Sequence, residues 1–265
     1  MKVDTNHKRF YFCLVDRNEK LLSVVVKTTR IKENDRLLTL LSPDIGVYNL
    51  TVYGAQKSKK CVKASLYTEA VFSVYHNKER AVRSLVDLEV ISIHEQASSS
   101  LGAIFTSSLM SELVMLYKGE TFLPLYELFT SCLDDLDDEN YVTIATQFMI
   151  RYMKLSGLLP DFIYCPVCGR AYDREETLGY NSSFSVPCCS NCDNISSGLI
   201  LPKNARAYIR DSANAPLSKA LEFVISPMQA SRIMRYMLRY IGLSLGVELK
   251  VMKSGLIDAT FNFGN

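Results

Sequence analysis

The chain has 265 residues, of which 48% are hydrophobic and 22% charged, enough for one large domain or two to three small ones and too apolar for wholesale disorder. No apolar run reaches the roughly 18 residues that would span a bilayer, and Met1 to Arg9 lacks the apolar stretch of a secretory leader, so the expected location is the cytoplasm. The net charge of +2 conceals an uneven distribution: residues 1–97 carry 16 Lys/Arg against 11 Asp/Glu, residues 98–160 carry 3 against 8, residues 161–200 carry 2 against 5 and residues 201–265 carry 9 against 4. Two basic ends around an acidic middle fit either a polyanion partner for the ends or a solvated surface.

The first third reads as β-structure. Phe10 to Val15 and Leu21 to Thr29 are apolar and β-branched, and period-two alternation follows at Tyr48, Leu50 and Val52, at Ala70, Phe72 and Val74, and at Val86, Leu88 and Val90. About five short strands separated by turns fit a small closed barrel, with Gly46 and Gly54 at turns or bulges. Gln96 to Ser100 reads as a linker or helix cap, after which the apolar spacing becomes helical. Leu109, Leu113, Leu116 and Tyr117 share one face, and Leu125, Leu128 and Phe129 belong to a second helix with Pro124 in its first turn. The acidic run Asp134 to Glu139 predicts a helix junction, and a third helix spans roughly Tyr141 to Ser156, ending at Gly157 and Pro160. Beyond the cysteine-bearing segment two helices are expected. The last starts with Ser226 as N-cap, Pro227 at N1 and Gln229 at N3, a capping-box pattern. Ile233, Met234, Met237, Leu238 and Ile241 form its apolar face, Arg232, Arg235, Tyr236 and Arg239 its other side, and Gly242 its stop.

The most specific motif is Cys165-Pro-Val-Cys168-Gly169, followed after twenty residues by Cys189-Ser-Asn-Cys192. In a reducing compartment, eight cysteines with two C-x2-C pairs point to metal rather than disulfides. Two intervening residues let both sulfurs of a pair face one ion, and Gly169 relieves the bend behind the first pair. Four thiolates complete a tetrahedral zinc site and leave no open position for a catalytic water, which makes the ion structural and excludes a zinc hydrolase. Buried free thiols are the bland alternative, and iron–sulfur ligation uses other spacings. Cys188 could stand in for Cys189 with three intervening residues; Cys189 keeps the spacing of the first pair. Cys13, Cys61 and Cys132 read as packing residues.

Lys57, Lys59, Lys60 and Lys63 form a basic stretch without acids, and Lys27, Arg30, Lys32 and Arg36 form a second basic group. With Tyr48 and Tyr53 nearby, cations and rings suit a single-stranded nucleic acid, the charges tracking phosphates and the rings stacking on bases. A soluble lysine-rich surface and tyrosines packed in the barrel are the competing reading. No phosphate-binding loop, G-x-S-x-G or H-E-x-x-H occurs. His7, His76 and His94 are scattered and read as surface or strand residues, and the acidic run lacks the calcium-loop spacing. These absences predict a protein that is not an enzyme.

Val26-Lys27-Thr28-Thr29-Arg30, then Glu33-Asn34-Asp35-Arg36-Leu37-Leu38-Thr39-Leu40-Leu41-Ser42-Pro43, resembles the opening of the bacterial RecO family of recombination mediators. The cysteine motifs resemble that family's zinc lobe, and Arg235 to Tyr240 its last helix. The resemblance covers roughly residues 20–250, with Val47 and Gln56 where the family usually carries cations. It implies an α+β multidomain chain: an extension at 1–19, an OB-fold barrel at 20–97, a helical domain at 98–160 and 201–265, and a zinc lobe inserted between them at 161–200. It also implies binding of single- and double-stranded DNA and annealing of complementary strands in the nucleoid. With RecR, the protein would help RecA displace single-strand-binding protein, whose acidic C-terminal tail it would contact. Arg232, Arg235 and Arg239 are the candidate surface for that tail, and Lys27, Arg30, Arg36, Lys57, Lys59, Lys60 and Lys63 for DNA. The rival from another class is a protein-interaction scaffold whose barrel binds no nucleic acid.

Overall fold

The structure is a computed structural model that describes residues 18–54, 64–77, 81–194 and 199–253. The strand expected at Phe10 to Val15, together with His7, Cys13 and Cys61, lies outside the described residues. Five strands, β1 (Asn18–Arg30), β2 (Arg36–Ser42), β3 (Gly46–Val52), β4 (Thr68–Asn77) and β5 (Val82–Ile93), close into a barrel in the order β1-β2-β3-β5-β4. All pairings are antiparallel except β3 with β5, which are parallel and meet at Thr51 and Ser84. Five strands in this order form an OB fold. β1 can serve both β4 and β2 because its register breaks between Val25 and Lys27, and the bulge bends the strand around the corner.

The continuous apolar run Val24-Val25-Val26 follows from burial on both faces. Leu21 and Val25 join Leu38, Leu50, Phe72 and Val74 inside the barrel, whereas Val24 and Val26 belong to the core of the helical half. The alternation expected along β5 is interrupted: its register with β4 shifts where Asp87 pairs with Ser73 and Leu85 with Val74, which leaves Val86 on the bulge and 49% exposed.

Glu95–Ser98 form a 3-10 turn, and Ser100 caps the next helix by accepting a hydrogen bond from the Ala103 amide, so the serine-rich stretch is a helix start. Helices α1 (Leu101–Leu116), α2 (Leu123–Asp134) and α3 (Tyr141–Leu155) follow. The acidic run joins α2 to α3, where Asp137 Oδ1 accepts the amides of Glu139 and Asn140. Two short strands, β6 (Gly179–Asn181) and β7 (Val186–Cys188), form a hairpin in the cysteine segment.

Among the described residues four helical segments follow instead of the two expected: α4 (Lys203–Asn214), α5 (Leu217–Leu221), α6 (Pro227–Leu245) and α7 (Lys250–Lys253). The capping box at Ser226 and Gln229 is present. Gly242 does not end α6. The helix runs on to Leu245 and stops at Gly246, whose φ of 65° is left-handed, with the Val247 amide donating to the Gly242 carbonyl at 3.0 Å. This is a Schellman stop, for which the glycine must sit one step beyond the last helical residue.

Candidate functional site

The described residues contain one four-thiol cluster, Cys165, Cys168, Cys189 and Cys192, whose sulfurs all lie within 4.8 Å of one another. Cys168 and Cys189 Sγ are 3.8 Å apart, about the edge of a tetrahedron built from Zn–S bonds of ~2.3 Å. The first pair is held by a tight turn: Gly169 has φ of 74° and donates its amide to the Cys165 carbonyl at 2.8 Å, while the Cys165 amide donates to the Arg170 carbonyl at 2.8 Å. The Cys192 amide closes the second pair onto the Cys189 carbonyl at 2.9 Å. The cluster can hold a metal ion, and a soft donor set of four sulfurs fits zinc.

Burial pushes the Cys165 thiol up, but amide donors from Cys189, Cys168 and Val167 outweigh it and bring the thiol down to about 6. Cys188 behaves oppositely. It is fully buried and outside the four-sulfur group, and burial, followed by Asp193 and the neighbouring thiols, raises it to about 12. It ends β7 and packs against Cys165 and Cys189 without joining the four-sulfur group.

Several residues around the cluster carry no motif. Arg170 Nη2 lies 2.6 Å from Glu176 Oε1, and Glu176 Oε2 accepts the Asp173 amide at 3.1 Å. Arg206 on α4 donates to the carbonyls of Asp173 and Arg174 at 2.7 and 2.8 Å, with its guanidinium 5.7 Å from the centre of the Tyr172 ring. On the other side Tyr180 of β6 meets Tyr240 of α6 edge to face at 6.3 Å, and Tyr240 stacks on Tyr236 at 5.9 Å. The lobe is therefore clamped between α4 and α6. Tyr236, expected beside the arginines, is buried in this stack. Only the run of tyrosines at helical spacing could have signalled it.

Arg232, Arg235 and Arg239 are exposed on α6. Arg239 also lines an apolar cleft of about 440 Å3 with Leu243, Val247, Leu249 and Met252. The second basic group divides. Arg30 and Arg36 are Cα partners across β1 and β2 and line a cavity of about 350 Å3 with Thr28, Thr29 and the Glu33–Asp35 turn. Arg30 donates to the Lys32 and Glu33 carbonyls at 3.4 and 3.0 Å, and Asp35 Oδ1 is engaged by the Gly54 amide at 3.0 Å. Lys27 lines a different cleft, against α1 and α7. Lys57, Lys59, Lys60 and Lys63 lie outside the described residues. Of the two tyrosines, Tyr53 is 60% exposed, but Tyr48 is 7% exposed with its hydroxyl 2.9 Å from Ser23 Oγ, so it packs in the barrel and cannot stack on a base. His76 pairs with Glu19 at 3.2 Å, and His94 is a buried interface residue instead of a surface one.

An OB barrel joined to a helical half that carries a four-thiol lobe defines a class, and comparison with known proteins agrees with it. The family described as recombination protein O, N terminal, matches residues 19–94, and recombination protein O, C terminal, matches residues 98–253. The DNA repair protein RecO of Dehalococcoides mccartyi (strain ATCC BAA-2266 / KCTC 15142 / 195) is 24% identical over 198 residues, covering 72% of this chain and 76% of that protein. The DNA repair protein RecO of Clostridium novyi is 25% identical over 178 residues, covering 66% and 69%. The chain belongs to the RecO family, a family of DNA repair and recombination mediators.

Proposed function

We propose that the chain binds single- and double-stranded DNA through its barrel, anneals complementary strands, and with RecR helps RecA displace single-strand-binding protein in the nucleoid. The observation that carries this reading is the direct opposition of Arg30 and Arg36. Like charges facing each other across a β-pair are destabilising, and an anion between them reverses the sign. Arg30 is already oriented by two carbonyls of the turn, which lowers the entropy lost when its remaining N–H groups meet a phosphate. Exposed Tyr53 offers a ring next to Gly54, beyond which the lysine-rich stretch begins. Annealing asks for no covalent chemistry: cations that neutralise two backbones reduce their repulsion and let pairing proceed.

In this reading the four thiolates hold one structural zinc ion. The α6 arginines and the apolar cleft at Arg239 suit an acidic peptide with apolar residues, such as the tail of single-strand-binding protein. No helix among the described residues is long and apolar enough to cross a membrane.

The test is a fluorescence-anisotropy titration with a single-stranded oligonucleotide across a salt series. The Arg30→Ala/Arg36→Ala and Lys57→Ala/Lys59→Ala/Lys60→Ala proteins should each bind more weakly, with a shallower dependence on salt. Wild-type protein that fails to bind at low salt would instead favour the scaffold reading, for which Val47 and Gln56 are the sequence support. Folded variants with unchanged affinity and slope would remove these residues from the DNA surface.

A further inference from the structure

Lys27 is separated from the other cations of its strand by the fold. It lines a cleft of about 430 Å3 at the seam between the barrel and the helices, with Glu112, Met115 and Leu116 from α1 and Lys250 and Val251 from α7. Both oxygens of Glu112 are engaged by the start of α7, Oε1 accepting the Lys250 amide at 2.6 Å and Oε2 the Val251 amide at 3.0 Å. Among the described residues neither Lys27 nor Lys250 forms an ion pair. The cleft thus combines an apolar lining with two lysines against one carboxylate, which keeps its charge while it accepts the backbone amides, and so carries an excess of positive charge.

We propose that this seam cleft binds a small amphipathic carboxylate, its anionic head between Lys27 and Lys250 and its apolar chain against Met115, Leu116 and Val251. The volume lies within the range of about 300–1,000 Å3 typical of small-molecule sites, which favour domain seams and mix an apolar lining with a few polar groups. A neutral apolar ligand would leave the excess positive charge unanswered, and a polyanion would exceed it and set charge against the apolar lining and Glu112. The ligand bridges β1 to α1 and α7, so it stabilises the packing of the barrel on the helices by mass action.

Three probes separate head from chain: octanoate, octanol and acetate, each titrated into the full chain and followed by calorimetry and thermal unfolding. Octanoate is expected to bind and raise the melting temperature, with octanol and acetate each weaker. Lys27→Gln/Lys250→Gln should weaken octanoate about tenfold, the loss of two partly exposed ion pairs, while octanol binding is unchanged. Met115→Trp, which fills the cleft, should remove binding by both. Equal binding of octanol and octanoate, or octanoate binding that the lysine variant leaves intact, overturns the proposal. So does octanoate binding only to a chain ending at Lys253, which would assign the cleft to residues 254–265.

Discussion

His94 and Asp134 meet across the junction of barrel and helices, Nε2 of the imidazole 3.0 Å from Oδ1 of the carboxylate. The other ring nitrogen lies 2.6 Å from the Tyr67 carbonyl. Tyr67 has φ of 63°, a left-handed conformation that costs a non-glycine residue about 1–2 kcal/mol. It is held there by His94 and by its own amide, which donates to Val25 at 2.9 Å. His94→Ala leaves a buried carbonyl without a donor and a cavity beside it, and is expected to destabilise the protein by about 2–4 kcal/mol. Asp134→Ala, at a carboxylate that is 63% exposed, should cost less, about 1 kcal/mol or below. Urea denaturation midpoints of the two variants check the order.

Gly46 makes the second junction between the halves. Its φ is +76°, and a Cβ there would come within 2.5 Å of the Phe122 ring just ahead of α2. Gly46→Ala combines a strained backbone with overpacking and should cost about 2–4 kcal/mol. Adding Phe122→Ala should restore part of the loss, since that removes the clash but not the strain. A double-mutant cycle measures the coupling, and additivity would show that the ring is not the obstacle.

The choice between neighbouring cysteines is open to direct measurement. Cys189→Ala should lose stoichiometric metal after purification, whereas Cys188→Ala should retain one ion per chain, because Cys188 lies outside the sulfur group. Elemental analysis distinguishes them, and the reverse pattern would exchange the two roles.

On the proposed zinc reading, removing the metal with a chelator should be felt beyond the lobe. The chain has no tryptophan, so near-ultraviolet circular dichroism is dominated by tyrosine, and the Tyr180–Tyr240–Tyr236 stack joins the lobe to α6. Loss of the ion should reduce that signal and raise amide exchange along α6, while the barrel strands keep their protection. Unchanged exchange in α6 would show that the stack stands without the ion.

Alkaline pH should weaken the fold through buried tyrosines. Burial raises Tyr48 and Tyr152 from 10.0 to about 12, and at Tyr48 the hydrogen bond with Ser23 offsets it only partly. Burial and then Glu69, which accepts its hydroxyl at 2.5 Å, push Tyr126 the same way. The folded chain keeps these protons after the unfolded chain has released them. The stability is therefore complete below pH 10 and is lost as pH rises from 10 toward about 12. Denaturation midpoints at about pH 8 and about pH 11 should differ accordingly, and Tyr48→Phe should flatten part of the fall.

Local signals were legible wherever one segment contains all the partners. The strands' alternation, the capping box at Ser226 and Gln229, the two C-x2-C pairs and the RecO-like motifs are each written within a few residues, and the order of those motifs pointed to the family. Tertiary structure alone decided relations between distant segments. Burial of Val24 and Val26 against the helices, placement of Lys27 away from Arg30, seating of Cys188 outside the sulfur cluster and enclosure of Tyr236 and His94 all depend on which surface covers a residue. Periodicity says which residues share a face, but only packing decides what that face meets.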